Sequence, residues 1–166
     1  MIDQGLLLAR LVVGLLMAAH GSQKLFGWFG GYGLTGVSGF LEGLGFRPGR
    51  LFAIAASASE LVSGILMAAG LLGPIGPALM LSVMIVAAVS VHAKGGVFAT
   101  TNGIEVPLLY AIVAVALALT GPGSLSVDAA LGIGSVWTPL LTWGVLLAGV
   151  AGGLANLAFR RLPVAA

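Results

Sequence analysis

Residues 5–25 read GLLLARLVVGLLMAAHGSQKL. The run is long and apolar enough to cross a bilayer, which takes about 20 predominantly apolar residues. Yet it carries Arg10 within it and ends on His20 and Lys24. An ionised group near the bilayer centre costs roughly 2.5–3.5 kcal/mol on insertion scales, so such groups turn toward other helices or a wet cavity. The stretch therefore predicts one helix of a bundle, with a polar face that needs polar neighbours.

The rest of the chain supplies them. Of 166 residues, 59% are hydrophobic and 7% charged, against roughly 25% charged in soluble domains. The mean hydropathy is +1.14, and the chain has 27 Gly and 7 Pro. Four more windows qualify as spans: 51–72, 76–94, 105–121 and 138–159. The expected fold is all-α, a polytopic membrane helix bundle. Because MIDQGLLLAR has an acid and no basic segment, residues 5–25 are expected to be a retained helix, not a cleaved signal peptide.

The chain has no cysteine, which excludes thiolate catalysis, disulfide exchange, iron–sulfur ligation and cysteine-bound zinc. The net charge of +2 is built from scattered groups with no Lys/Arg run, so nucleic acid is not an expected partner. With five spans the termini lie on opposite sides. Lys24, Arg47, Arg50, Lys94, Arg160 and Arg161 then share one side, opposite Asp3, the GLLGPIGP turn (70–77) and Asp128. By the positive-inside rule the amino terminus is out and the carboxyl terminus in.

Local signals refine this. GLLGPIGP suits a hairpin turn. Thr101 or Asn102 is placed to cap the fourth span, and Thr138 with Pro139 to open the fifth. Between the first two spans, Leu34, Val37, Phe40, Leu41 and Leu44 recur at helical spacing with Glu42 on the polar side, predicting a short interfacial helix. Trp28, Phe29 and Tyr32 suit the headgroup region, and GWFGGYG (27–33) can dip back into the membrane if helices shelter it. Gly149/Gly153 and Ala148/Gly152 favour close helix contact.

The polar candidates are Arg10, His20, Lys24, Glu60, His92 and Glu105. A rise of about 1.5 Å per residue puts Arg10 about 8 Å and His20 about 22 Å below the outer edge, with Glu60 about 14 Å above the inner one. These depths favour an Arg10–Glu60 ion pair and an internal polar column open toward the cytoplasm. Such a pair either fixes helix register or lines a pocket for a polar headgroup, with Glu60 and His20 as candidate catalytic groups and Lys24 attracting anions. A haem between His20 and His92 is a lesser alternative, resting on two histidines alone. No metal site is expected, because the ligands for zinc are too few.

The segments ARLVVGLLMAAHGSQKLFG, GGYGLTGVSGFLEGLGF, SASELVSGILMAAGLLGPIGPALMLSVMIVAAVSVH and NGIEVPLLYAIVAVALALTGPGSLSVDAALG together resemble the DoxX family of small bacterial membrane proteins, over about residues 5–132. The resemblance implies a four-helix membrane domain over 1–132. Residues 133–166, with the span at 138–159 and a short basic tail, would be an addition to it. It further implies residence in a bacterial inner membrane and a redox-linked subunit in contact with the quinone pool, with a quinone as its ligand and soluble or membrane redox proteins linked to oxidative stress as partners. The six polar residues are the positions carried over. The alternatives are a non-catalytic scaffold that docks such partners and a small proton-coupled transporter with Glu60 as its site. Beyond the bilayer itself, an oligomer is compatible with this sequence.

Overall fold

A computed structural model describes residues 1–161, and among these there is no strand. Seven α-helices follow in order: α1 (Ile2–Phe26), α2 (Gly33–Gly43), α3 (Gly49–Ala69), α4 (Ile75–Ala87), α5 (Glu105–Thr120), the single turn α6 (Val127–Ala130) and α7 (Pro139–Ala158). Helix α4 runs on through a π-helical turn, Ala88–His92, and a 3-10 turn, Ala93–Gly95. Four helices are long and apolar enough to cross a membrane: α1, α3, α4 with its extension to Gly95, and α7. The fourth expected span is present as α5, an apolar helix of 16 residues, about 24 Å long.

Helix ends follow local chemistry. Gly27 and Gly70 take left-handed conformations that stop α1 and α3, a role that suits glycine because it lacks Cβ. Thr138 accepts from the Leu141 N–H with Pro139 just inside α7, as the sequence predicted. The expected cap of α5 is not formed. Ile104 occupies that position without a side-chain bond, Asn102 ends the preceding 3-10 turn, and the Thr101 hydroxyl donates to the Gly95 and Phe98 carbonyls. The loop's own carbonyls thus compete successfully for the hydroxyl.

Helices α1 and α3 pack closely because glycines face each other. A Cβ on Gly14 would lie 2.6 Å from the Gly64 carbonyl oxygen, and one on Gly21 would lie 2.5 Å from the Leu61 nitrogen. Helix α7 lies on α4 in the same way, since a Cβ on Gly149 or Gly153 would meet the Ala78 or Ser82 carbonyl oxygen at 2.5 and 2.9 Å. This is the small-residue contact the spacing predicted. Between these pairs the core is Met17, Met67, Met80, Met84, Ala114 and Leu117. Unbranched Met side chains fill the irregular gaps left where helices approach on glycine. The outward faces carry Leu8, Val12, Leu15, Ile65, Ile112 and Leu147, all exposed, as lipid contact requires.

The connection from α1 to α3 forms the expected short helix, α2, which packs on α3 and α1. The stretch before it folds back against the end of α1. Gln23 donates to the Phe29 carbonyl, and a Cβ on Gly31 would lie 2.3 Å from the Gln23 carbonyl oxygen. Glu42, expected to face water, is exposed and also accepts the Gly49 N–H at the start of α3. The far end of α7 closes on the same turn: Arg160 donates to the Leu44 carbonyl, the Arg161 N–H donates to Gly45, and the Arg160 guanidinium lies 5.9 Å from the Phe46 ring centre. Residues 162–166 of the expected basic tail lie outside the described residues.

Candidate functional site

Glu60 sits eleven residues into α3, on the face that meets α1 and α4, and is 2% exposed. Its Oε1 is paired with the ammonium of Lys24, two residues before the end of α1. Its Oε2 is buried and has no hydrogen-bond partner among the described residues. Lys24 is partly open, with 37% of its side chain exposed. A buried carboxylate is tolerated in a bundle when a cation is held against it, and the long Lys24 stem supplies one while its other donors stay accessible.

The pair lies on the wall of a cavity of about 760 Å³ between α2, α3 and α4, reached also by Asn156 of α7. Most of the lining is apolar, with Val37, Phe40, Phe46, Phe52, Val83 and Val86 prominent. Polar groups are few: Gln23, Tyr32, Ser59, Ser82, Ser90 and Asn156 besides the pair. Ser90 and Asn156 already donate to the Val86 and Gly152 carbonyls of their own helices. Ser90 and Val91 of the lining fall in the π-helical turn, a deviation often found where a helix shapes a site. Tyr32 and Phe40, both exposed, stand at the α2 side. An apolar slot ending on a few convergent polar groups is the usual form of a site for an amphiphilic small molecule.

The six candidate residues do not form one column. Lys24 and Glu60 meet in the cavity. Arg10 does not pair with Glu60; it is buried at the other end of the bundle, donating to the Ala68 and Leu125 carbonyls, with its Nε unpaired. The glycine contacts between α1 and α3 set a register in which Arg10 lies level with Ala68. That is about 12 Å along α3 from Glu60. His20 is exposed on another face of α1, edge-on to the Tyr110 ring at 6.4 Å. His92 bonds through Nδ1 to the Asn102 carbonyl, and Glu105 accepts the Ala99 N–H at 2.7 Å; both hold the α4–α5 loop. His20 and His92 have separate partners and neither lines the cavity, so they do not frame a common haem site.

The sequence reading missed the residue that organises the opposite end. Asp128, taken only as a charge on the outer side, is fully buried. Its two oxygens accept the N–H groups of Leu72 and Gly73, in the α3–α4 turn, and the Trp137 indole N–H, at 2.7–2.9 Å. Nearby, Asp3 accepts the Ser124 N–H. The available signal was Ser126, which caps α6 by accepting the Ala129 N–H and thereby turns the next residues inward.

A bundle of long apolar helices with a lipid-facing surface and an internal ion pair is a multi-pass membrane protein. The sequence profile of the DoxX family matches residues 5–93. That is more than half of the chain, which belongs to the DoxX family. The match takes in α1 to α4 and so includes both members of the ion pair and most of the cavity wall. No curated protein and no solved structure matches the chain.

Proposed function

We propose that this chain is the membrane subunit of a redox-linked complex, and that the cavity between α2, α3 and α4 holds a quinone-class ligand with its head against Lys24 and Glu60. The observation that carries this is the combination of a mostly apolar cavity of about 760 Å³ with one buried ion pair on its wall. The apolar lining suits a tail and ring, and the free donors of Lys24 suit head oxygens. The chain would bind and orient the ligand, while electrons would come from a partner protein on the cytoplasmic side of a bacterial inner membrane, the side that the positive-inside rule favours for the basic loops at this end of the bundle.

The test is extraction of the full chain in mild detergent followed by mass spectrometry of bound lipids, then titration with decyl-benzoquinone. The expected result is a co-purifying quinone, lost in Phe40→Trp and kept in His20→Ala, whose side chain lies outside the cavity. Retention of partner proteins with no quinone bound in any form would favour a scaffold. Flux that depends on Glu60 in vesicles, without quinone binding, would favour a transporter.

A further inference from the structure

One wall of the cavity is a short helix with little behind it. Gly36, Val37, Phe40 and Leu41 of α2 line the cavity opposite α3 and α4. Helix α2 has no buried residue, whereas α1, α3, α4, α5 and α7 each have several. Glycines at positive φ stand at both of its ends, Gly33 at 63° and Gly45 at 94°. A helix with so little buried surface, set between residues free to change backbone direction, is the kind of element that opens before the rest of a fold does.

What holds it down comes from the other end of the chain. Arg160, two residues past α7, donates from Nε to the Leu44 carbonyl at 2.5 Å, and the Arg161 N–H donates to the Gly45 carbonyl at 2.8 Å. The fit is close, since a Cβ on Gly45 would lie 2.5 Å from the Arg161 carbonyl oxygen. The Arg160 guanidinium also stands 5.9 Å from the centre of the Phe46 ring, within the range where a cation is attracted to an aromatic face. Phe46 is 1% exposed, meets Phe52 with ring centres 5.3 Å apart, and lines the cavity with it. We infer that α2 is a lid over the cavity and that Arg160 is the positioning residue that latches it, acting through the Leu44 carbonyl and the Phe46 ring. Glu42, which accepts the Gly49 N–H at the start of α3, keeps the lid attached when the latch parts. The inference goes beyond the quinone-class reading, because it holds for any occupant of the cavity. It also gives α7 a role at the site, from a part of the chain beyond the family match, which ends at residue 93.

The test uses the full chain in detergent, with two readouts that need no ligand. Backbone hydrogen exchange over residues 33–46 reads the opening of α2. The rate at which pyrene maleimide labels Ser59→Cys, on the α3 wall of the cavity in a chain with no other cysteine, reads access to the interior. Arg160→Ala removes a bond from a charged donor and should raise both rates about tenfold. Exchange in α1 and α3 should stay at its wild-type rate, as should labelling of Ser57→Cys, which is fully buried and about 200° round α3 from Ser59. Arg160→Lys, which keeps a cation and a donor, should restore most of the wild-type behaviour. Unchanged exchange in α2 overturns the inference. Faster exchange throughout the bundle, or loss of its fold, overturns it as well, because α7 would then support the whole bundle and not a lid. Faster exchange without faster labelling would mean that α2 moves without uncovering the cavity, and Arg160→Lys behaving as Arg160→Ala would remove Arg160 as the latch. Neither readout involves a quinone, so titration with decyl-benzoquinone decides the quinone-class reading separately.

Discussion

Gly14 of α1 and Gly64 of α3 lie so close that a Cβ on Gly64 would stand 2.5 Å from the Gly14 carbonyl oxygen and 2.4 Å from the Ala18 nitrogen. The obstacles are backbone atoms, which cannot rotate away, so any side chain must push the helices apart. Gly64→Val should destabilise the protein by about 1–3 kcal/mol or more, and it should also weaken the cavity, whose wall depends on the same register. Thermal unfolding in detergent by circular dichroism checks this. An unchanged midpoint would show that the helices pack elsewhere.

Asp128 gathers three donors on two oxygens. An asparagine keeps one acceptor oxygen and turns an amide against at least one N–H, so Asp128→Asn should cost about 1–3 kcal/mol. Trp137→Phe removes a single donor and should cost less. The order of the two midpoints is the test, and a larger loss in Trp137→Phe would mean that ring packing outweighs the bonds.

Lys24→Met leaves the buried Glu60 carboxylate without its cation, and should cost about 3–5 kcal/mol. Adding Glu60→Leu should recover much of that loss, because an apolar pair removes both the charge and the unpaired oxygen. Glu60→Gln alone should be mild, since Lys24 is 37% exposed and can turn toward water. A double variant no more stable than Lys24→Met would contradict the pairing.

Arg10 and Glu60 have no common partner. Arg10→Met and Glu60→Gln should therefore be additive in stability within about 0.5 kcal/mol. A coupling above about 1 kcal/mol would restore the ion pair that the residue depths had favoured.

The chain has no cysteine, so single introduced cysteines report topology cleanly. Thr101→Cys and Ser135→Cys lie in exposed loops on either side of α5. If α5 crosses the bilayer in the orientation set by the basic loops, an impermeant thiol reagent added to intact cells should label Ser135→Cys alone. Labelling of both or of neither would show that the 16-residue helix does not span.

Much of the fold was legible because bilayer thickness and hydropathy leave few options for runs of this length. The apolar helices, the short helix after Trp28, the hairpin turn before α4, the Thr138–Pro139 start of α7 and the Gly149/Gly153 contact all followed from local spacing. Of the site, Glu60 and Lys24 were legible as groups that lipid disfavours. Their partnership was not, because depth counted from the helix ends errs by a turn or more, and a turn decides which long side chain reaches a carboxylate.

By itself, the sequence determined that this is an apolar helix bundle with a small set of ionisable groups hidden in it, since that much depends only on residue type and run length. Tertiary structure alone decided which of those groups meet. The Gly14–Gly64 and Gly21–Leu61 contacts set the register of α1 against α3, delivering Lys24 to Glu60 and sending Arg10 to the opposite end. The cavity beside the pair, and the inward turn of Asp128, exist only through contacts between residues far apart in the chain.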